Sequence, residues 1–246
     1  LDYSIDTCVD YTNEIQDRVA VWDRLKNSVK ENSRFFTNMD EFAQYEYLTA
    51  GKSLHIGQKL YRSRVTPIGQ KKIKWDKMGC PPKELTTAGR ANPIGIPYLY
   101  LSDSAKTTYF EVRAVYLDKL SVGTFRIEKD LKLIDFVYDV NLFLSYNDGS
   151  VPLKETIIKK KVIEAISSDL SKPLRRYDSE IEYVPIQLIC EYCRRIVDSE
   201  GATADGITFE SSLHKGGRNY VLFDESAAKC IRVDSHEITR IDIDRK

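Results

Sequence analysis

The sequence predicts an α+β fold. Strand-like and helix-like segments are mixed along the 246 residues without a regular β-α-β alternation. A long Gly- and Pro-rich segment, 66–97, also divides the chain. About four residues in ten are hydrophobic, enough to fill the core of one large domain or of a domain with an appendage.

Residues 1–55 are expected to be helical, because Ile15, Val19, Trp22, Leu25 and Val29 recur at steps of three and four. Met39, Phe42, Tyr45 and Leu48 form a second stripe, closed by Gly51. "GQKLYRSRV" (57–65) reads as a strand entering the main domain, which we bound at 56–246. Residues 66–97 have few periodic apolar positions and read as a loop long enough to be functional. Tyr98–Leu101 is a short apolar strand. "SDSAKTTYFEVRAVYL" (102–117) follows as a helix with Ser102 or Asp103 as N-cap. "LSVGTFRI" (120–127) and "LKLIDFV" (131–137) are strands, and "LKETIIKKKVIEAISSDL" (153–170) and "YVPIQLICEYCRRIV" (183–197) are helices. "DGITFESS" (205–212) and "RNYVLFD" (218–224) are strands flanking "LHKGG", and "CIRVDSHEITRIDI" (230–243) supplies a last strand or pair.

Charge is balanced at 37 basic and 37 acidic residues, which argues against a nucleic-acid binder driven by overall charge. Between Lys59 and Arg90, however, nine Lys/Arg face two Asp/Glu. A solvated basic face is the ordinary explanation, and an anion site the sharper one. No apolar run approaches membrane-spanning length and no signal-peptide pattern stands at the start. The start at Leu1 leaves room for upstream residues. Five cysteines, an odd number, suggest reduced thiols and a cytoplasmic setting.

Several motifs fail. "AGKS" (50–53) ends like a P-loop, but Glu46 stands where its first glycine belongs. The histidines His55, His214 and His236 are scattered, and one C-x-x-C, Cys190 and Cys193, supplies too few ligands for zinc, so no metal site is expected. Those two cysteines share one helix face and read as core residues.

Arg90, Tyr100 and Glu111 each have an ordinary explanation alone: a solvated loop charge, a core aromatic, an exposed helical carboxylate. With Arg62 and "ESSLHKGGRN" (210–219) they make a different set. Two arginines and a glycine-rich loop suit a pyrophosphate. An aromatic ring can stack on a base, and a carboxylate can stabilise an oxocarbenium ion beside a ribose.

"KLYRSR" (59–64), "GRANPIGIPYLYLSDSAKTTYFEVR" (89–113), "LKLIDF" (131–136) and "DGITFESSLHKGGRNYVLF" (205–223) resemble, in order, the blocks of the RES domain family. The resemblance covers about two thirds of the chain. It implies an ADP-ribosyltransferase-like split mixed sheet with flanking helices and an NAD-binding cleft. It also implies an NAD⁺-consuming toxin or effector, of toxin–antitoxin or bacterial-defence type. NAD⁺ would be substrate, with no resident cofactor. Carried over by motif, Arg62 and Arg90 would bind phosphate, Tyr100 would pack against nicotinamide or its ribose, and Glu111 would be the catalytic carboxylate. Ser211 or Ser212 is the family serine, the choice between them open, and Asn219 matches the asparagine of the last block. The chain departs from the family at Ala91, where an aromatic is common, and carries an insertion at 67–82. The helical N-terminal stretch resembles a regulatory region that precedes some RES domains. The expected activity is release of nicotinamide by hydrolysis or phosphorolysis; ADP-ribosylation of a protein and non-catalytic NAD or ADP-ribose sensing are the alternatives. Control by an antitoxin, by homo-oligomerisation or by the N-terminal segment is expected. No membrane and no direct nucleic-acid partner is expected.

Overall fold

A computed structural model describes residues 11–43, 48, 50–137, 152–172, 180–195 and 201–241. The chain separates into two compact units, Leu1–Tyr47 with Tyr138–Ala165, and Leu48–Val137 with Ile166–Lys246. Among the described residues no helix is long and apolar enough to cross a membrane.

The described residues of the first unit form helices. Helix α1 covers Asn13–Val19 and α2 Val21–Glu31, and the turn at Ala20 interrupts what the apolar stripe predicted as one helix. Trp22, Leu25 and Val29 of that stripe are buried on α2 together with Val21, whereas Ile15 and Val19 on α1 are only half-buried. A short helix, α3, spans Asp40–Ala43 and buries Phe42; Tyr45 of the second predicted stripe lies outside the described residues. The Arg18 guanidinium grips Glu155 through two parallel hydrogen bonds of 2.6 Å. Glu155 begins the long helix α5, Leu153–Ser171, which continues from the first unit into the second.

The second unit is built on one eight-stranded sheet. Its strands are β1 Ala50–Leu54, β2 Lys59–Val65, β3 Leu99–Ser102, β4 Lys119–Ile127, β5 Leu131–Asp135, β6 Gly206–Glu210, β7 Arg218–Leu222 and β8 Ala228–Glu237. Their order is β1-β5-β6-β7-β3-β2-β4-β8. Only β5 and β6 pair in parallel, so the sheet is mixed and the class α+β. Leu60, Met78, Leu99, Phe125, Leu133 and Leu222 belong to its buried core. Helices α4, Ala105–Glu111, and α6, Val184–Cys193, belong to the same unit.

The joint between β2 and β3 is weak. They meet through one pair, Tyr61 opposite Ser102, whereas β2 pairs with β4 from Lys59 to Val65 and β3 with β7 over its whole length. The sheet is therefore split there, and backbone continuity is replaced by an opening.

Three expectations need correction. Ala50–Leu54 is a strand rather than the end of a helical segment: Gly51 sits at a register shift against β5, a bulge and not a helix stop. The N-cap of α4 is Ser104, whose Oγ accepts from the Thr107 N–H, because Ser102 is held in β3 and the Asp103 N–H bonds the Arg218 carbonyl. The same helix stops at Glu111 instead of running to residue 117. The Ala114 N–H reaches the Tyr109 carbonyl and the Arg113 N–H that of Phe110, a Schellman closure with Arg113 at φ 50°.

Candidate active site at the split in the sheet

The strand-turn-helix 99–111 brings Glu111 to the opening. Across the turn, a buried Ser63–Thr108 hydroxyl pair, 2.5 Å apart, fastens α4 to β2. Early termination leaves Glu111 in the last turn, with its side chain exposed at the opening. Its Oε1 accepts two hydrogen bonds, from the Ser211 hydroxyl at 2.6 Å and from Asn219 Nδ2 at 2.7 Å. Among the described residues Oε2 has no hydrogen-bond partner.

Asn219 stands on β7, and the other donor, Ser211, is fixed by the loop between β6 and β7. Ser211 Oγ accepts from the N–H groups of Leu213, at 3.3 Å, and His214, at 3.0 Å, so its single proton is directed at Glu111. Gly217 lets this loop close on α4: a Cβ there would stand 2.7 Å from both His214 Nδ1 and Thr107 Oγ1. Thr107 is fully buried and cannot withdraw. The Phe110 and His214 rings stack at 4.9 Å on the same contact. Of the two candidate serines, Ser211 therefore touches the carboxylate, while Ser212 lines the cavity.

The loop 86–97 forms another wall. The Tyr100 hydroxyl donates to Asn92 Oδ1 at 2.8 Å and accepts from the Ala91 N–H at 3.0 Å. Burial pushes this phenol well above its ordinary pKa. Asn92 bonds the carbonyls of Thr87 and Pro93, and Gln187 of α6 bonds those of Gly89 and Asn92. Gly89 is required by close approach, since a Cβ would lie 2.3 Å from Asn92 Oδ1. Tyr100 thus spends its hydroxyl on pinning the loop, and only its ring remains for a ligand. Ala91 is fully buried in this knot rather than forming a cavity wall.

Arg90 leaves the same loop and donates from Nη1 to the Leu170 carbonyl near the end of α5. Arg62, on β2, has its Nη1 buried with no hydrogen-bond partner. Burial lowers both guanidinium pKa values, and the neighbouring charge of Arg64 adds to the effect at Arg62. An unpaired buried donor on a permanently charged group is costly and marks a place for an anion.

Arg62, Arg90, Tyr100, Glu111, Ser212 and Asn219 line one cavity of about 290 Å³ at the split. That is near the lower end of small-molecule sites, roughly 300–1,000 Å³. Sequence reasoning missed Tyr61, Ser63, Ser102, Thr108 and Phe209, which line the same cavity. Ser63 and Tyr61 could have been found from strand alternation, since Ser63 bonds Thr108 of α4 and Tyr61, two residues before it, shares its face of β2.

Most of the basic excess is ordinary. Arg64 bonds the carbonyls of Lys77 and Gly79, Lys72 that of Val233, and Lys71, Lys74, Lys77 and Lys83 are exposed. Cys190 and Cys193 are core residues of α6, and burial pushes both thiols far above their ordinary pKa. Among the described residues no group of three or more metal-ligating side chains is assembled.

Comparison with known proteins adds one finding. A family model described as RES domain matches residues 59–243, three quarters of the chain, including every residue of the cavity. No curated protein and no solved structure matches the chain.

Proposed function

The chain belongs to the RES domain family, and on that premise we propose that it consumes NAD⁺ by breaking the nicotinamide–ribose bond at the split in the sheet. The observation that carries this reading is the Glu111 carboxylate, held by Oε1 alone and facing a cavity with two arginines.

In this reading Arg62 and Arg90 take the pyrophosphate, whose charge supplies the partner that Arg62 Nη1 lacks. The ring of Tyr100 bounds the nicotinamide ribose. As the C–N bond breaks, its electron pair goes to the pyridinium nitrogen and nicotinamide leaves neutral. Positive charge then develops on the ribose, opposite the free Oε2 of Glu111. Because the leaving group needs no proton, no acid is required beside it. Water attacks the ribose carbon and loses a proton, giving ADP-ribose; inorganic phosphate in its place gives a phosphorylated ADP-ribose. NAD⁺ is substrate, and no resident cofactor is invoked.

Such an enzyme, a toxin or effector acting in the cytoplasm on NAD⁺, would deplete its own host. Control by an antitoxin-like partner, by self-association or by the helical N-terminal unit is part of the proposal. Incubation with adenylate-labelled NAD⁺, with and without phosphate, tests it by product mass. Free or phosphorylated ADP-ribose supports it. Label on protein points to ADP-ribosyl transfer, and bound but intact NAD⁺ to a sensor.

A further inference from the structure

The Ser102 side chain bonds neither substrate-binding arginine nor Glu111, yet it is tied to the carboxylate by one intermediary. Its hydroxyl donates to Asn219 Oδ1 at 2.7 Å, and Asn219 Nδ2 donates to Glu111 Oε1 at 2.7 Å. Ser102 and Asn219 are both buried and sit opposite each other in the β3/β7 register. The Asn219 carbonyl is held in turn by Thr208 Oγ1 at 2.9 Å. The backbone on both sides of the amide is therefore fixed, and what remains free is rotation of the amide itself. A carboxylate neighbour favours Nδ2 over Oδ1, but it satisfies only one end. Ser102 satisfies the other end and sets the plane. Without it a buried carbonyl oxygen has no donor, and the amide gains by turning away.

We infer that Ser102 is a positioning residue: through Asn219 it locks Oε1 of Glu111, so that Oε2 is the oxygen presented to the cavity. Ser102 is also the β3 residue at the single β2–β3 bridge, opposite Tyr61, so the carboxylate is held from the point where the sheet splits. The inference rests on the NAD⁺-cleaving reading for its kinetic consequence, but not for its structural one.

The test uses the full chain with ¹⁵N-labelled asparagine, as wild type, Ser102→Ala, Ser102→Thr and Asn219→Asp. Asn219→Asp identifies the Asn219 side-chain signal by its loss. In the wild type the two Nδ2 protons are well separated and exchange slowly with solvent. In Ser102→Ala they draw together and exchange at least several-fold faster, while Ser102→Thr keeps the wild-type pattern. Alongside, kcat for nicotinamide release falls about tenfold in Ser102→Ala, the size expected for one hydrogen bond. KM stays within about twofold, and Ser102→Thr recovers most of the loss. An unchanged Asn219 signal in folded Ser102→Ala overturns the positioning role, whatever the activity of the wild type. A moved signal with unchanged kcat overturns it as well. Absence of NAD⁺ cleavage by the wild type overturns the functional reading alone, and the spectra still decide the role of Ser102.

Discussion

Replacing Glu111 by glutamine separates the chemistry of the site from its architecture. Asn219 Nδ2 and the Ser211 hydroxyl both point at Oε1, at 2.7 and 2.6 Å. Ser211 cannot reverse its role, because its lone pairs already accept from Leu213 and His214. The glutamine must therefore turn its carbonyl oxygen toward these donors and its NH₂ toward the cavity. Both hydrogen bonds survive as neutral ones, so the loss of stability is on the order of 1 kcal/mol or less. In a chain of this size that shifts Tm by about 2–4 °C. At the cavity the change is larger: an acceptor with negative charge becomes a donor facing a developing cation. Loss of one preorganised electrostatic group costs roughly 2.7–4 kcal/mol in the transition state, a factor of about 10²–10³ in kcat. Chromatographic measurement of nicotinamide release, with a thermal melt on the same samples, reads both quantities. A folded Glu111→Gln protein that releases nicotinamide within about threefold of the wild-type rate would refute the assignment of Glu111.

Other perturbations divide stability from function differently. Arg62→Met removes a guanidinium with an unpaired buried nitrogen, so urea unfolding should occur at the same or higher concentration while KM for NAD⁺ rises about tenfold or more; lower stability with unchanged KM would contradict this. Tyr100→Phe leaves the Ala91 N–H and Asn92 Oδ1 without their partner. It should cost ~1–3 kcal/mol in urea unfolding and raise KM through the loop that carries Arg90, and a protein as stable as wild type would count against the pinned loop. Cys190 and Cys193 have thiols raised by burial above the ordinary 9.0. In the folded state they keep protons that the unfolded chain releases, so stability is full below about pH 9 and falls as pH rises beyond it. The slope is roughly 1.4 kcal/mol per pH unit for each thiol; equal urea midpoints at about pH 8 and about pH 10 would contradict it.

The sequence was most legible where local and global signals agree. β2 and β4 differ from their predicted spans by two residues or fewer at either end, and the apolar Leu60 of β2 and Leu120, Val122, Phe125 and Ile127 of β4 are all buried. In α5, Ile158, Val162, Ile166 and Leu170 recur every four residues and are all buried. β1 was illegible because Gly51, Lys52 and Ser53 are weak strand formers, and tertiary pairing with β5 overrides their propensity. The stop of α4 was hidden because a Schellman closure usually announces itself by glycine, and here Arg113 takes the left-handed position. Within the site, residue types and order pointed to Arg62, Arg90, Tyr100, Glu111, Ser211, Ser212 and Asn219, and the fold brings them together at the split. What could not be read was how each group is employed. The Tyr100 hydroxyl bonds the loop, Ser211 rather than Ser212 touches Glu111, and Ser102 joins through Asn219. These depend on side-chain partners brought from 8 to 117 residues away along the chain.

Cleavage of NAD⁺ at the opening between β2 and β3 is checked at its root by the time course of nicotinamide release from the purified wild-type chain. Release should equal, mole for mole, the NAD⁺ lost, and Glu111→Gln should suppress it. NAD⁺ that remains intact after prolonged incubation with folded protein, or release that Glu111→Gln does not diminish, would contradict it.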